Sequence, residues 1–242
     1  MRILVFQHLP IEHPGIFRSF FARDGHTLDV VEWDEGEVAP EDLRPWDALL
    51  VMGGPMDVWE EARLPWLALE KAAIRRWLDL GKPFLGVCLG HQLLAEAAGG
   101  VVGKMAGAEV GICEVARAPG VAADPLFAAQ SERFPALQWH GAEVKALPPG
   151  AALLAVNNDG VIEAFRFGDC AWGVQYHVEV TEETVSEWAT VPEYGAALES
   201  VLGVDGQARF ERDAMEILPL LNQAAAEIYA AFMAVVERKR LG

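Results

Sequence analysis

The sequence predicts an α/β fold with a mixed, mostly parallel central sheet covered by helices on both faces. Two observations predict it. Through the first hundred residues short apolar runs alternate with helix-forming segments, and strands separated by helices pair in parallel and need cover on both faces. After Gly100 the helices vanish and strand-like runs follow one another across short turns, which predicts partly antiparallel strands extending the same sheet.

In chain order, residues 2–8 read as a strand, 15–23 as a short helix, 27–33 as a second strand and 47–52 as a third. The third closes on Gly53-Gly54-Pro55. Residues 67–80 form a helix with Leu67, Ile74, Trp77 and Leu78 on its apolar side, closed by Gly81. Residues 83–87 are a buried strand, and 89–98 a helix stopped by Gly99-Gly100. The later strands are expected over 110–115, 136–139, 152–156, 161–167 and 171–176. From Thr181 onward the chain reads as helical, with Thr181 as N-cap and Glu182, Glu183 and Glu187 in the early turns. The last helix spaces Ile217, Leu221, Ala224, Ile228, Phe232 and Val235 along one face. Pro219 is expected to bend its start or to mark a later first turn. No repeat or linker divides the chain, so one domain over 1–242 is expected, with a core of about 1–180 and a helical C-terminal extension of about 181–242.

At 242 residues and 52% hydrophobic composition a large core can be buried. The net charge of −17 argues against nucleic acid or an anionic membrane surface as a main partner. No run of about 18 uncharged apolar residues occurs, so a membrane span is not expected. The first residues lack a signal-peptide layout, and three cysteines do not make a disulfide framework. A reducing, cytoplasmic setting is the simplest expectation.

Open parallel sheets hold ligands at the carboxyl ends of their strands, and three such ends carry unusual residues. Gly86-Val87-Cys88-Leu89-Gly90 places Cys88 on a sharp strand-to-helix turn that needs small neighbours and exposes the side chain. The helix N-terminus beyond it favours a thiolate. His177 and Glu179, two apart in an extended segment, point the same way, so the carboxylate can orient the ring. Cys–His–carboxylate is an acyl-transfer arrangement recognised by geometry. The N–H of Leu89 and a glycine N–H from Gly53-Gly54 could hold an oxyanion. A lone cysteine is more often a small buried hydrophobe, and Cys113 and Cys170 are read that way; the flanking glycines lift Cys88 above it. A lone histidine reads as structural, and Glu179 in register reverses that for His177. His91 is expected to shape the turn and His140 to be a turn residue near the site, whereas His8, His13 and His26 carry no signal. No paired metal-ligand spacing appears, so no metal is expected.

Gly86-Val87-Cys88-Leu89-Gly90-His91-Gln92 closely resembles the nucleophile motif of the triad-type, class I glutamine amidotransferases. Tyr176-His177-Val178-Glu179 resembles their His-Pro-Glu motif, and Gly53-Gly54-Pro55 their oxyanion strand. The segments stand in the family's order across residues 1 to about 180. The resemblance implies a flavodoxin-like three-layer α/β/α sandwich and hydrolysis of a γ-glutamyl amide without a cofactor. It makes Cys88 the nucleophile, His177 the base, Glu179 its orienting partner, Gly54 and Leu89 the oxyanion donors, and Gln92 a contact for the substrate. Glu109-Val110-Gly111 and Gln138-Trp139-His140-Gly141 also resemble family segments. Val178 departs from the usual proline; it should point away from the catalytic side chains, and its presence is expected to loosen the turn. Family members feed ammonia to a synthase, and the 63 residues after Glu179 offer neither room for such a domain nor a phosphate loop. The helical tail resembles that of stand-alone proteins related to the glutaminase domain of GMP synthase. Two variants stay open: a glutaminase serving a separate synthase subunit, and a self-sufficient γ-glutamyl peptidase or hydrolase. A non-enzymatic binding module on the same fold is the third reading.

Overall fold

The computed structural model describes residues 1–241. The first half alternates β1 (Arg2–Gln7), α1 (Phe17–Arg23), β2 (Thr27–Glu32), β3 (Ala48–Val51), α2 (Trp66–Asp79), β4 (Phe84–Val87) and α3 (Leu89–Ala97). Five strands follow: β5 (Val101–Arg117), β6 (Arg133–Ala146), β7 (Ala152–Asn157), β8 (Ile162–Phe167) and β9 (Ala171–Val174). The helices α4 (Thr184–Trp188), α5 (Pro192–Leu202) and α6 (Gly206–Leu241) complete the chain.

All nine strands join one sheet in the order β2-β1-β3-β4-β9-β8-β7-β5-β6. The neighbours from β2 to β9 pair in parallel, and those from β9 to β6 antiparallel. Strand alternation then divides the apolar residues between two layers. Ile3, Val5, Leu50, Val87 and Trp172 meet Phe17 and Phe21 of α1 and Ile228 and Phe232 of α6. Leu4, Phe6, Leu49, Val51 and Phe84 meet Leu67, Ile74 and Trp77 of α2 and Leu93 and Leu94 of α3. A third cluster joins Leu137 and Trp139 of β6 to Trp188, Tyr194 and Phe210 of the last helices.

Four expectations need correcting. β5 and β6 run far beyond 110–115 and 136–139, pairing with each other across register shifts at Val101/Val102 and Lys104/Glu109; backbone pairing carries a stretch whose small and polar side chains do not read as strand. His140 therefore lies within a strand, not in a turn. Thr181 is no N-cap: α4 starts after Glu183, and the Thr184 hydroxyl accepts from the Thr181 N–H at 2.8 Å. Pro219 neither bends the start of α6 nor marks its first turn, because the helix begins at Gly206 and carries the proline inside. By length and composition alone α6 could cross a membrane, yet its residues Leu221, Ala225, Ile228, Phe232 and Val236 are buried against the sheet and its neighbouring helices.

Candidate active site

The carboxyl ends of β1, β3, β4 and β9 converge. Cys88 follows β4 with φ 51° and ψ −105°, and is the only non-glycine residue with positive φ among those described. Its N–H donates to the Val174 carbonyl at 2.9 Å, and the N–H of Gly90 to Met52 at 3.1 Å. The flanking glycines are sterically obligatory. A Cβ on Gly86 would lie 2.4 Å from the Gly90 oxygen, and one on Gly90 2.1 Å from the Val51 oxygen. Helix α3 can start this close to β3 and β4 only without those side chains.

His177 is held by the chain beyond β9. Its N–H donates to Leu137 at 2.9 Å, which ties it to β6. Its Nδ1 lies 2.7 Å from Glu179 Oε1, both side chains being buried. Trp188 packs edge-on against the ring, with centroids 4.6 Å apart, and Cys88 lies near enough to act electrostatically on the same imidazole. Burial works against a charged ring, but Glu179 and Cys88 outweigh it and raise the His177 pKa well above 6.5. Val178 does point away, into the apolar core. Its N–H donates to Glu179 Oε2 at 3.0 Å, a bond no proline could make, so the turn expected to loosen is tied to the carboxylate instead.

Gly54, Cys88, Leu89 and Gln92 line one pocket of about 170 Å³, smaller than the roughly 300–1,000 Å³ typical of drug-sized ligands. The N–H groups of Gly54 and Leu89 have no partner among the described residues. Gln92 spends its amide hydrogens on Ala142 O at 3.3 Å and Gln175 Oε1 at 3.0 Å, and Gln175 Nε2 in turn reaches Cys88 Sγ at 3.5 Å. What Gln92 retains for a ligand is its carbonyl oxygen.

Several residues around the site carried no sequence signal. Glu12 is buried, and its carboxylate accepts the Tyr194 hydroxyl. A Cβ on Gly53 would meet Glu12 Oε2 at 2.5 Å and His177 Cε1 at 3.3 Å, so Glu12 and His177 flank that glycine. Glu193, Tyr194 and Ala197 of α5 form a pocket wall, which brings the C-terminal helices into the site. His8, read as silent, is fully buried between the Gly53 carbonyl and Glu70. His91 packs on Phe165 under the turn, its pKa lowered by burial to about 3.

Glu109, His140 and Glu163 bring ligand atoms within 4.8 Å of one another. These come from three strands, so local spacing could not reveal them. Among the described residues this is the group that could hold a cation. Protein donors already occupy much of it: Asn157 donates to both Glu109 oxygens at 3.2 Å and Gln138 to Glu163 at 2.7 Å.

Residues 16–187 match the family described as glutamine amidotransferase class-I. The chain is 28% identical to γ-glutamyl peptidase 5 of Arabidopsis thaliana, over 72% of this chain and 70% of that protein. It is 35% identical to a glutamine-hydrolysing GMP synthase of Thermomicrobium roseum, over 65% of this chain but 28% of that longer protein. A solved glutamine amidotransferase of Thermotoga maritima superposes with a TM-score of 0.86 at 27% identity, covering 98% of both chains. With its flavodoxin-like sheet, its Cys88 turn and a family match over most of its length, the chain belongs to the class-I glutamine amidotransferases.

Proposed function

We propose that the protein hydrolyses a γ-glutamyl amide through a Cys88–His177–Glu179 triad. The supporting observation is the 2.7 Å His177–Glu179 pair set beside a cysteine in a strained strand-to-helix turn. With Nδ1 engaged by Glu179, the opposite ring nitrogen takes the Cys88 proton as sulfur attacks the γ-glutamyl carbonyl carbon. The N–H groups of Gly54 and Leu89 hold the resulting oxyanion. As the C–N bond breaks, the imidazolium gives its proton to the departing nitrogen, leaving a γ-glutamyl thioester on Cys88. His177 then deprotonates a water that attacks the thioester, the C–S bond breaks, and glutamate leaves. Gln92 lines the pocket where the glutamyl portion would lie. No dissociable cofactor is needed, and a cytoplasmic, reducing setting would keep the thiol competent.

The amine leaving group separates two forms of this reading. A glutaminase would release ammonia for a separate synthase subunit; a peptidase would act alone on a γ-glutamyl conjugate. The second is favoured by similarity to γ-glutamyl peptidase 5 over 70% of that protein, whereas the GMP synthase match spans 28%. Incubation of the protein alone with glutamine and with γ-glutamyl dipeptides decides between them, read as ammonia or amine released. Cys88→Ala should abolish turnover of either with the circular dichroism spectrum unchanged; retained turnover would overturn the triad.

A further inference from the structure

His8 and Glu70 take no part in the thiol chemistry, yet both are fully buried beside the candidate site. His8 follows β1 and Glu70 lies on α2. The His8 Nδ1 is 2.7 Å from the Gly53 carbonyl oxygen, and its Nε2 is 3.0 and 3.1 Å from the two Glu70 oxygens. Trp66 stacks on the ring at 5.7 Å. A carbonyl only accepts, so Nδ1 must carry a hydrogen. Glu70 is compatible with this wherever the shared proton sits. A carboxylate accepts from Nε2 of an imidazolium, and a carboxylic acid donates to Nε2 of a ring protonated at Nδ1.

The Gly53 carbonyl and the Gly54 N–H are opposite ends of one planar trans peptide and point in opposite directions. Holding the oxygen therefore aims the N–H. That N–H has no protein partner, and Gly54 lines the pocket with Cys88. Two successive glycines form the backbone most prone to a peptide flip, and a flip would present a carbonyl oxygen where an oxyanion must be stabilised.

We propose that His8, held by Glu70, is a positioning residue that locks the Gly53–Gly54 peptide with its N–H turned toward the oxyanion. The inference rests on the γ-glutamyl hydrolase reading. The alternative is a satisfied buried pair that only fastens β1 to α2.

Two reactions of the same thiol separate these roles. Acylation of Cys88 by a γ-glutamyl anilide develops an oxyanion, whereas alkylation by iodoacetamide does not. In the double variant His8→Phe/Glu70→Leu, which leaves no buried charge unpaired, acylation should fall about 10- to 100-fold, short of the roughly 10²–10³ lost with an entire oxyanion donor. Alkylation should stay within about twofold of wild type. His8→Asn, whose amide can donate to the Gly53 oxygen as Nδ1 does, should recover most of the acylation rate. If the first pair does not fold, His8→Leu/Glu70→Met gives the same comparison. Parallel loss of both reactions, unchanged acylation, or no recovery with asparagine would overturn the positioning role. A wild-type Cys88 that alkylates but does not acylate would instead sink the hydrolase reading, and the inference with it.

Discussion

Cys88 sits in backbone geometry that costs of the order of 1–3 kcal/mol for a residue with a Cβ, and the contacts around it determine that geometry. β4 ends at Val87, Val174 receives the cysteine N–H, and Gly86 and Gly90 let α3 begin against β3. Burial would lower the basicity of His177, but Glu179 and then Cys88 raise it well above 6.5, so the imidazolium persists to higher pH than a free histidine would. In the proposed mechanism the proton that His177 takes from Cys88 is the one it gives to the leaving nitrogen. Activity should therefore fall when the pair loses that proton, and the alkaline limb of kcat/KM is expected above 6.5. Glu179→Gln removes the largest raising influence. Its alkaline limb should move to lower pH and kcat should fall about 10²- to 10⁴-fold; an unmoved limb would contradict the role given to Glu179. Cys88, His177 and Glu179 were legible in the sequence because each stands in a short local pattern. Glu12, Gln175 and His8 were not, since their partners Tyr194, Gln92 and Glu70 lie far along the chain.

At the scale of elements, α5 contributes most that a linear reading hides. Its Tyr194 packs on Trp139 and Trp188 while its hydroxyl donates to buried Glu12. Burial raises the Glu12 pKa; His177 and then the Tyr194 hydroxyl pull it back down. Tyr194→Phe keeps the ring and removes the donor, so the Glu12 pKa should rise further. A carboxyl raised in the folded state holds a proton the unfolded chain releases near 4.5, so stability falls as pH rises through that window. The variant should therefore be nearly as stable as wild type at pH 5 and about 1–3 kcal/mol less stable at pH 8. Equal midpoints at pH 8, or the same deficit at both values, would refute this. The long β5–β6 ribbon is the other element, of which local patterning found only 110–115 and 136–139 and missed the extent. Residues 103–109 lack strand-like alternation; the antiparallel partner pairs with Gly103, Lys104 and Glu109, and the register shifts between Lys104 and Glu109.

Across the whole molecule the charge is strongly one-sided, 36 acidic against 19 basic residues. Self-repulsion of this kind is screened once the Debye length shrinks to about 10 Å near 0.1 M salt. The urea midpoint should consequently rise between about 0.01 and 0.2 M sodium chloride at pH 7.5, and a flat or falling midpoint would show that local ion pairs dominate. What the sequence by itself determined is the layered plan and the candidate chemistry at three strand ends. Continuous apolar runs along β1, β3 and β4 mark strands covered on both faces, and the Gly-x-Cys-x-Gly turn can take few other shapes. Only the tertiary structure decided what surrounds that chemistry. The α5 wall, the Glu12–Tyr194 contact and the His8–Glu70 clamp on the Gly53 carbonyl form when segments distant in sequence are brought together. Their partners are chosen by burial and hydrogen-bond satisfaction in three dimensions, and no local periodicity encodes that choice.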